Sequence, residues 1–171
     1  MFEIWEFNEK NNGEIRKRNG QERIMKKEDF PIFNALDDNK VLGLTIYGEA
    51  RGESVDGKVA VGGTILTRKK HNSWYGNTIK KVCFKQYQYS CYNEKDPNYM
   101  ILKGIAQNFL DCCDKDKILK SCYNIANGLI EGTVIPEFEA THYHTDAVEP
   151  VWKDDLKYIG KIGHHIFYME V

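Results

Sequence analysis

The hydrophobic pattern of this chain changes its period at Gly132, and that change limits the possible folds more than any other feature. Before Gly132, apolar residues recur in several segments with the i, i+3, i+4 spacing of amphipathic helices. After it, residues 133–145 and 157–171 are rich in β-branched and aromatic residues, which is typical of strands or extended loops. Helices followed by a small sheet predict an α+β fold with a mainly helical body.

Local start and stop signals divide the helical part. They predict four helices: one capped by Asp37, Asp38 or Asn39 and ended by Gly52, one capped by Ser54, one opened by Asp96-Pro97, and one over residues 117–131 ended by Gly132. Val55 and Ile101 are predicted to face inward, and residues 71–95 to be irregular. Within the second helix, Gly62-Gly63 costs about 1 kcal/mol per glycine relative to alanine, which favours close backbone packing there over a helix break.

Composition limits the class of partner. The chain has 171 residues, which suits one domain, and its 24 Lys and Arg balance 25 Asp and Glu. The net charge of −1 gives no general attraction to nucleic acid or to a membrane surface, and no apolar run approaches the ~20 residues of a membrane span.

The five cysteines are odd in number and have no CxxC spacing, which favours reduced thiols over a disulfide framework or a zinc site.

Residues 1–38 differ from the rest and are predicted to form an N-terminal extension of a domain over residues 39–171. Asn12-Gly13 is a turn signal, so a small hairpin packed on the domain is a candidate structure for the extension. The first residues lack the basic start and apolar stretch of a secretory signal. We therefore expect synthesis and folding in the cytoplasm.

Two acids four residues apart, Glu49 and Glu53, are the first candidates for chemistry. Near a helix end this spacing turns both to one side, together with Leu42 and Ile46. A carboxylate at the rim of an apolar face loses solvation and its pKa rises, as a general acid acting near neutral pH requires. A solvated charge cluster around Arg51 is the alternative interpretation.

A second segment, from Gln86 to Asn93, alternates aromatic rings with amide and hydroxyl groups. Sugars bind to such surfaces by stacking on the rings and bonding to the amides, so Gln88, Tyr89 and Ser90 are candidate glycan contacts. A tyrosine-rich loop packed on a helix is the alternative.

Histidines form the third candidate group. Alternation along a strand places His142 and His144 on one face, whereas His164 and His165 would point to opposite faces. No Glu or Cys completes a familiar zinc pattern around them. We therefore expect no bound metal and no cofactor, and assign the histidines to hydrogen bonds and sugar contacts.

Five segments in order resemble the bacterial cell-wall hydrolases of the SleB and CwlJ type, which include spore cortex-lytic enzymes and phage endolysin-like relatives. The segments are YGEARGE (47–53), GKVAVGGTILTR (57–68), QYSCYNEKDPN (88–98), ATHYHT with PVW (140–152) and IGKIGHHIFY (159–168). The likeness covers about residues 41–168. The chain departs from the family pattern at Gly62-Gly63, Thr67 and Tyr89, and residues 1–38 have no recognised counterpart.

The resemblance implies a lysozyme-like fold and cleavage of the glycan bond between N-acetylmuramic acid and N-acetylglucosamine. Family members act as lytic transglycosylases with one essential Glu, the first in EARGE, which is Glu49 here. The residues then expected to support catalysis or bind substrate are Glu53, Gln88, Tyr89, Ser90, His142, Tyr143 and Trp152. The expected partner is the peptidoglycan glycan strand, bound by a monomer without nucleic acid or membrane insertion, after release in phage-type lysis or in the spore cortex.

Two rival functions stay open on the sequence alone. A metal-dependent cell-wall amidase or peptidase would use His142, His144 and His164, and a non-catalytic glycan-binding module would bind walls without releasing soluble fragments. A true hydrolase would need a second group to activate water, for which Glu53 and Asp146 are the candidates. Arg51 is expected to hold Glu53, with a substrate carboxylate as its other candidate partner.

Overall fold

The computed structural model describes residues 25–71, 73–86 and 88–170. Its helices are α1 (Phe30–Asn34), α2 (Asp38–Ala50), α3 (Val55–His71), α4 (Ile79–Cys83), α5 (Tyr99–Gln107), α6 (Phe109–Lys115) and α7 (Lys117–Glu131), with 3-10 helices at Ser90–Tyr92 and Val151–Asp155. Its strands are β1 (His142–Thr145), β2 (Lys157–Ile162) and β3 (His165–Met169). The predicted order of helices before a small sheet is confirmed.

Helix α2 is the central element and packs against α7, α3 and α4. The Asp37 carboxylate caps its N-terminus by accepting from the Lys40 N–H, as the sequence predicts. Every residue from Val41 to Tyr47 is buried, so the helix is enclosed around its whole circumference rather than along one stripe. The C-terminal turn of α2 is therefore mounted on a rigid, fully packed element.

Two further helix ends follow their predicted signals. The Ser54 hydroxyl accepts from the Gly57 N–H at 3.2 Å in the first turn of α3. Helix α7 ends at Gly132, whose φ of 75° is the left-handed conformation that glycine adopts at helix C-termini. These signals are local, which is why the sequence alone locates them.

The prediction for the helices is wrong for the third helix, for Val55 and for residues 71–95. The third helix begins at Tyr99 and breaks at Asn108, whose φ of −141° and ψ of 50° are not helical, so that it forms α5 and α6. Ile101 is exposed because Leu102, one position further on, faces the core. Val55 is exposed at the first turn of α3, and the segment predicted to be irregular contains α4 and a 3-10 helix.

The small sheet has the strand order β1-β3-β2, with both pairs antiparallel. One face carries Tyr143 and Phe167 and packs on small apolar residues of α2 and α3. The opposite face carries His142 and His144, which both contact the ring of Trp152. The predicted placement of these two histidines on one face is confirmed.

The hairpin predicted in the N-terminal extension falls mostly outside the described residues, which begin at Met25. Within the described part, Phe33 is fully buried in the main core, where its ring lies 5.4 Å from that of Tyr92 and 6.0 Å from that of Tyr99. The boundary at residue 38 stays a prediction.

All five cysteines are free thiols, and four of them are buried. The reduced state of these thiols in the cell stays a prediction. In the part of the chain that is described, no helix combines the length and the apolar character needed to cross a membrane.

Gly62 and Gly63 let α3 approach its neighbours closely. A Cβ atom at Gly62 would lie 2.5 Å from Leu129 Cδ1 and 2.8 Å from Ile46 Cδ1, and one at Gly63 would lie 2.5 Å from Pro136 Cγ. Cβ atoms essentially never make contacts under 3.0 Å. The explanation of this pair by close packing, rather than by a helix break, is confirmed.

We expect Gly62→Ala to lower the free energy of unfolding by about 1–3 kcal/mol, because the added methyl group overpacks the contact among α2, α3 and α7. Gly104→Ala is the matched control, since nothing lies within 4 Å of a Cβ atom there. In that open helical position the change should raise the free energy of unfolding by about 0.5–1 kcal/mol. Urea unfolding measures both, and equal stabilisation by the two substitutions would contradict the packing explanation.

Candidate active site

Three segments of the chain meet at the carboxyl group of Glu49, in the last turn of α2. Its Oε1 accepts a hydrogen bond from the Cys91 backbone N–H at 3.3 Å, and its Oε2 accepts one from the Tyr143 hydroxyl at 3.2 Å. Cys91 belongs to the 3-10 helix Ser90–Tyr92, which follows Gln88 and Tyr89, called here the aromatic loop, and Tyr143 belongs to β1. The carboxyl group is thus fixed between the helical body and the sheet, while the Glu49 residue as a whole is only partly buried.

Burial raises the pKa of the Glu49 carboxyl group above its ordinary value, and it is the largest influence on that group. Hydrogen bonds from Cys91 and Tyr143 act in the opposite direction, because they stabilise the ionised form. The nearby Asp96 carboxylate adds to the increase by repulsion. A carboxyl group that keeps its proton to higher pH has the property required of a general acid.

Tyr143 is held in place by the neighbouring strand. Its ring lies edge-on to that of His165 at 5.0 Å between centroids, and it packs on Phe167 at 5.7 Å. Burial, together with the charge of Glu49, raises the pKa of the Tyr143 hydroxyl well above its usual value. The hydroxyl therefore stays protonated and acts as a donor to the acid.

Glu53 does not lie beside Glu49 on one helix face, because α2 ends at Ala50. It lies in the link between α2 and α3, where its Oε2 accepts from the His164 N–H at 3.2 Å. His164 belongs to the turn between β2 and β3. Glu53 therefore makes a second connection between the helical body and the sheet.

The expected ion pair between Arg51 and Glu53 is wrong. The Arg51 Nη1 donates to Asn98 Oδ1 at 2.6 Å, and the guanidinium lies over the ring of Tyr47 at 5.4 Å from its centroid. Because the helix ends just before Arg51, this side chain turns toward the start of α5. The alternative interpretation, a solvated charge cluster around Arg51, is also wrong, because the guanidinium contacts Asn98 and Tyr47.

The buried guanidinium of Arg68 organises the aromatic loop. Its Nη1 donates to Gln88 Oε1 at 2.9 Å and to the Tyr89 hydroxyl at 3.0 Å, and its Nε donates to the Thr141 carbonyl at 2.6 Å. These bonds tie the loop to the residue before β1. Ser90 is exposed at the start of the 3-10 helix. A direct role of Gln88, Tyr89 and Ser90 in glycan binding stays a prediction.

His142 and Trp152 lie on the face of the sheet that points away from Tyr143, and their ring centroids are 5.2 Å apart. Burial lowers the pKa of His142 to about 3, and the positive charge of Arg68 acts in the same direction. The imidazole of His142 is therefore neutral throughout the physiological range. The structure does not bring these two predicted site residues to the carboxyl group of Glu49.

The other histidines of the metal-dependent alternative are engaged separately. His144 Nδ1 donates to the Thr145 carbonyl at 2.8 Å, so its Nε2 accepts from the Tyr168 hydroxyl at 3.2 Å. His164 is exposed, with its Nδ1 3.6 Å from Asp146. Among the residues that the structure describes, no group of three or more His, Cys, Asp or Glu side chains is placed to hold a metal ion.

Cys91, Arg68 and His165 belong to the site or to its immediate support, and the sequence interpretation did not select them. Cys91 was treated only as one of five reduced thiols, although it directly follows the candidate residue Ser90. Arg68 closes the second family-like segment, and His165 lies in the last. Their position within the family-like segments was the only feature of the sequence that could have indicated these three residues. Their contacts in the site could not be predicted, because they join residues far apart in sequence.

The comparison with protein-family models matches residues 52–168 to the family described as Cell Wall Hydrolase, and the match starts just after Glu49. The comparison with curated protein sequences found no match. The catalytic domain of the germination-specific lytic transglycosylase SleB from Bacillus anthracis is a similar solved structure, with 25% identity, a TM-score of 0.53, and coverage of 79% of this chain and 98% of that one. The catalytic domain of the Bacillus cereus SleB protein gives 22% identity, a TM-score of 0.52, and coverage of 88% and 99%.

The two similar solved structures agree with the α+β architecture described above. Both SleB catalytic domains are covered almost completely, which confirms the expected lysozyme-like α+β fold. The stretch matched by the family model runs from the link after α2 to β3, and includes Cys91 and Tyr143. Because the match spans well over half of its residues, the chain belongs to the cell wall hydrolase family.

Proposed function

We propose that this protein cleaves peptidoglycan glycan strands between N-acetylmuramic acid and N-acetylglucosamine as a lytic transglycosylase, with Glu49 as its single catalytic acid and base. The observation that carries the proposal is the Glu49 carboxyl group, which two donors from different elements hold in place and whose pKa is raised by burial. Family membership supports the substrate class. The description of the Bacillus anthracis neighbour as a lytic transglycosylase supports the reaction type.

In the proposed reaction, the protonated Glu49 gives its proton to the bridging oxygen of the glycosidic bond. The C1–O bond breaks with its electron pair on the departing oxygen, and C1 of the muramic acid becomes oxocarbenium-like. The Glu49 carboxylate then takes the proton of the C6 hydroxyl of the same sugar, and O6 attacks C1 to close a 1,6-anhydro ring. Glu49 ends with its proton restored, and no water is consumed.

Tyr143 and Cys91 stabilise Glu49 at the step in which its carboxyl group is ionised. Each donates to one of its carboxyl oxygens, so the carboxylate is stabilised by groups already in place before the proton leaves. Burial favours the protonated form and these donors favour the ionised form. The two opposing influences suit a group that must both give and take a proton in one cycle.

The carboxylates considered for water activation are engaged elsewhere. Glu53 accepts from the His164 N–H, and Asp146 accepts from the Lys161 ammonium at 2.8 Å. The bond from Lys161 lowers the pKa of Asp146, which is also at the surface. A transglycosylase needs neither group, and we therefore propose it over the hydrolase.

We expect Glu49→Gln to lower the release of soluble fragments from purified peptidoglycan by at least about 10²-fold, because the general acid is lost. Glu53→Gln is the matched control, since the amide oxygen can still accept from the His164 N–H, and its rate should stay within about threefold of wild type. Mass spectrometry of the soluble products should show anhydro-muramoyl ends for the wild type.

Products of other kinds would contradict either the reaction type or the role of Glu49. Reducing sugar ends would require an activated water and would make Glu53 and Asp146 the next residues to change. Free stem peptides, or undiminished release by Glu49→Gln, would sink the proposal for Glu49.

Tyr143→Phe should change the pH dependence of the reaction. Loss of a donor to the ionised carboxyl group raises the pKa of Glu49 further, so the alkaline limb of the rate profile moves to higher pH. The plateau rate should fall about tenfold, because a hydrogen bond to a charged group is lost while the ring packing is kept. Tyr158→Phe, on the exposed edge strand β2, should leave the profile unchanged. Identical profiles for wild type and Tyr143→Phe would contradict the role of this hydroxyl.

Removal of metal ions distinguishes the proposed transglycosylase from a metal-dependent amidase or peptidase. We expect full release of glycan fragments in excess EDTA, because the chemistry assigned to Glu49 uses no metal ion. Loss of activity that zinc restores, with free amino groups among the products, would favour the amidase and return attention to His142, His144 and His164.

The setting in which the enzyme works is also part of the proposal. Synthesis in the cytoplasm followed by release at the wall fits a phage endolysin or a spore or cell-wall lytic enzyme. The Bacillus anthracis neighbour is described as germination-specific, which supports the spore setting by analogy. Comparison of rates on isolated spore cortex and on vegetative walls separates the two.

A further inference from the structure

Asn98, the residue before α5, does not cap its own helix. An asparagine at this position normally accepts from a backbone N–H of the first helical turn, but within the described residues its side chain makes no such bond. Its Oδ1 instead accepts from Arg51 Nη1 at 2.6 Å, and its Nδ2 donates to the Gly48 carbonyl at 3.5 Å. The side chain therefore gives up a local bond in α5 and joins the start of that helix to the end of α2.

The two contacts of Asn98 lie on either side of Glu49. Gly48 directly precedes the acid, and Arg51 follows it by two residues as the C-cap of α2. The last four carbonyls of a helix have no partner within the helix, and helix ends fray where such groups are not satisfied. Asn98 thus holds the turn of α2 that carries the acid.

Arg51 is anchored on its other side by Tyr47. The guanidinium lies over the Tyr47 ring, 5.4 Å from its centroid, and the Tyr47 hydroxyl donates to Asp116 Oδ2 at 2.8 Å. Asp116 in turn caps α7 by accepting from the N–H groups of Ile118 and Leu119. Burial, together with the Asp116 carboxylate, raises the pKa of Tyr47 to about 12, so its hydroxyl stays a donor. Arg51 therefore connects the acid-bearing turn to α5 on one side and to α7 on the other.

Asn98 also ends the stretch of chain that begins at Cys91. Its N–H donates to Asp96 Oδ1 at 2.8 Å, and its carbonyl accepts from the Leu102 N–H at 2.9 Å to begin α5. At the other end of this stretch, the Cys91 N–H donates to Glu49. Residues 91–98 are therefore attached to the last turn of α2 at both ends.

We propose that Asn98 and Arg51 form a positioning pair that fixes the last turn of α2 and so holds Glu49 against its two donors. The inference rests on the proposed function of Glu49. It gives the arginine of the YGEARGE segment a role other than pairing with Glu53 or with a substrate carboxylate. Neither side chain takes part in proton transfer, and the uncharged amide fixes the helix end without adding a charge beside the acid.

Asn98→Ala tests the pair through the rate and its pH dependence. We expect kcat on purified peptidoglycan to fall about tenfold and KM to stay within about twofold of wild type, because Glu49 loses its alignment while the glycan contacts remain. Asn98 is uncharged, so its loss affects Glu49 only through position. Weaker donation to the ionised carboxyl group raises the pKa of Glu49, and the alkaline limb of the profile should move to higher pH.

Two further variants separate positioning from stability. Asn98→Ser keeps a good N-cap for α5, but its hydroxyl is too short to reach Arg51, so kcat should fall as in Asn98→Ala. Asn39→Ala is the matched control, because the Asn39 Nδ2 donates to Asn127 Oδ1 at 2.6 Å at the other end of α2. That bond lies about 15 Å along the helix from Glu49, and its loss should leave both kcat and the pH profile unchanged.

A double-mutant cycle tests whether Asn98 acts through Arg51. Asn98→Ala should lower kcat by no more than about twofold when it is added to Arg51→Ala, since the shared bond is already lost. Arg51→Lys keeps the charge and a donor and should recover part of the rate that Arg51→Ala loses. Drops that multiply in the double variant would overturn the shared route.

The remaining outcomes distinguish this inference from the proposed function. A raised KM with unchanged kcat in Asn98→Ala would mean that the side chain contacts the glycan, and would overturn its positioning role. Wild-type kcat and pH profile in Asn98→Ala, or an equal loss in Asn39→Ala, would overturn the same role while Glu49→Gln stays inactive. Activity retained by Glu49→Gln would overturn the proposed function of the acid, whatever the Asn98 variants show.

Discussion

The burial of one carboxyl group between a helix and a sheet is the interaction on which this site depends. An acid that works near neutral pH has to lose solvent in order to keep its proton, yet its ionised form then needs donors that replace water. Glu49 has both: burial is the largest influence on its pKa, and Cys91 and Tyr143 supply the donors. Because the donors come from different segments, the site exists only when the helical body and the sheet are packed together.

Buried polar contacts, rather than apolar packing alone, set the relative positions of these three residues. The bond between Thr45 and Tyr92 ties the 3-10 helix to α2, and the guanidinium of Arg68 ties the aromatic loop to the residue before β1. Such bonds are directional and costly to leave unmade in the interior, so they define one geometry where apolar contacts would accept several. The apolar core around α2 supplies the stability that makes this geometry rigid.

Sequence patterns predict those parts of the fold that depend on neighbouring residues. The cap at Asp37, the stop at Gly132 and the alternation along β1 are local, and the structure has all three. The partners of Arg51 and Arg68 could not be predicted, because they depend on contacts between residues far apart in the chain. For the same reason, the sequence indicated Glu49 as the candidate acid and Tyr143 as a supporting residue, but not that the Tyr143 hydroxyl and the Cys91 N–H would be the donors to its carboxyl group.

The register of β1 has a chemical consequence as well as a structural one. Tyr143 pairs with Phe167 and faces the helices, so its immediate neighbours His142 and His144 must face the other side, against Trp152. A shift of one residue would bring a histidine to the carboxyl group in place of a phenol. The imidazole could then titrate together with the acid, whereas the Tyr143 hydroxyl keeps its proton because its pKa is raised. The alternation of this four-residue strand therefore decides whether Glu49 faces a permanent donor or a competing base.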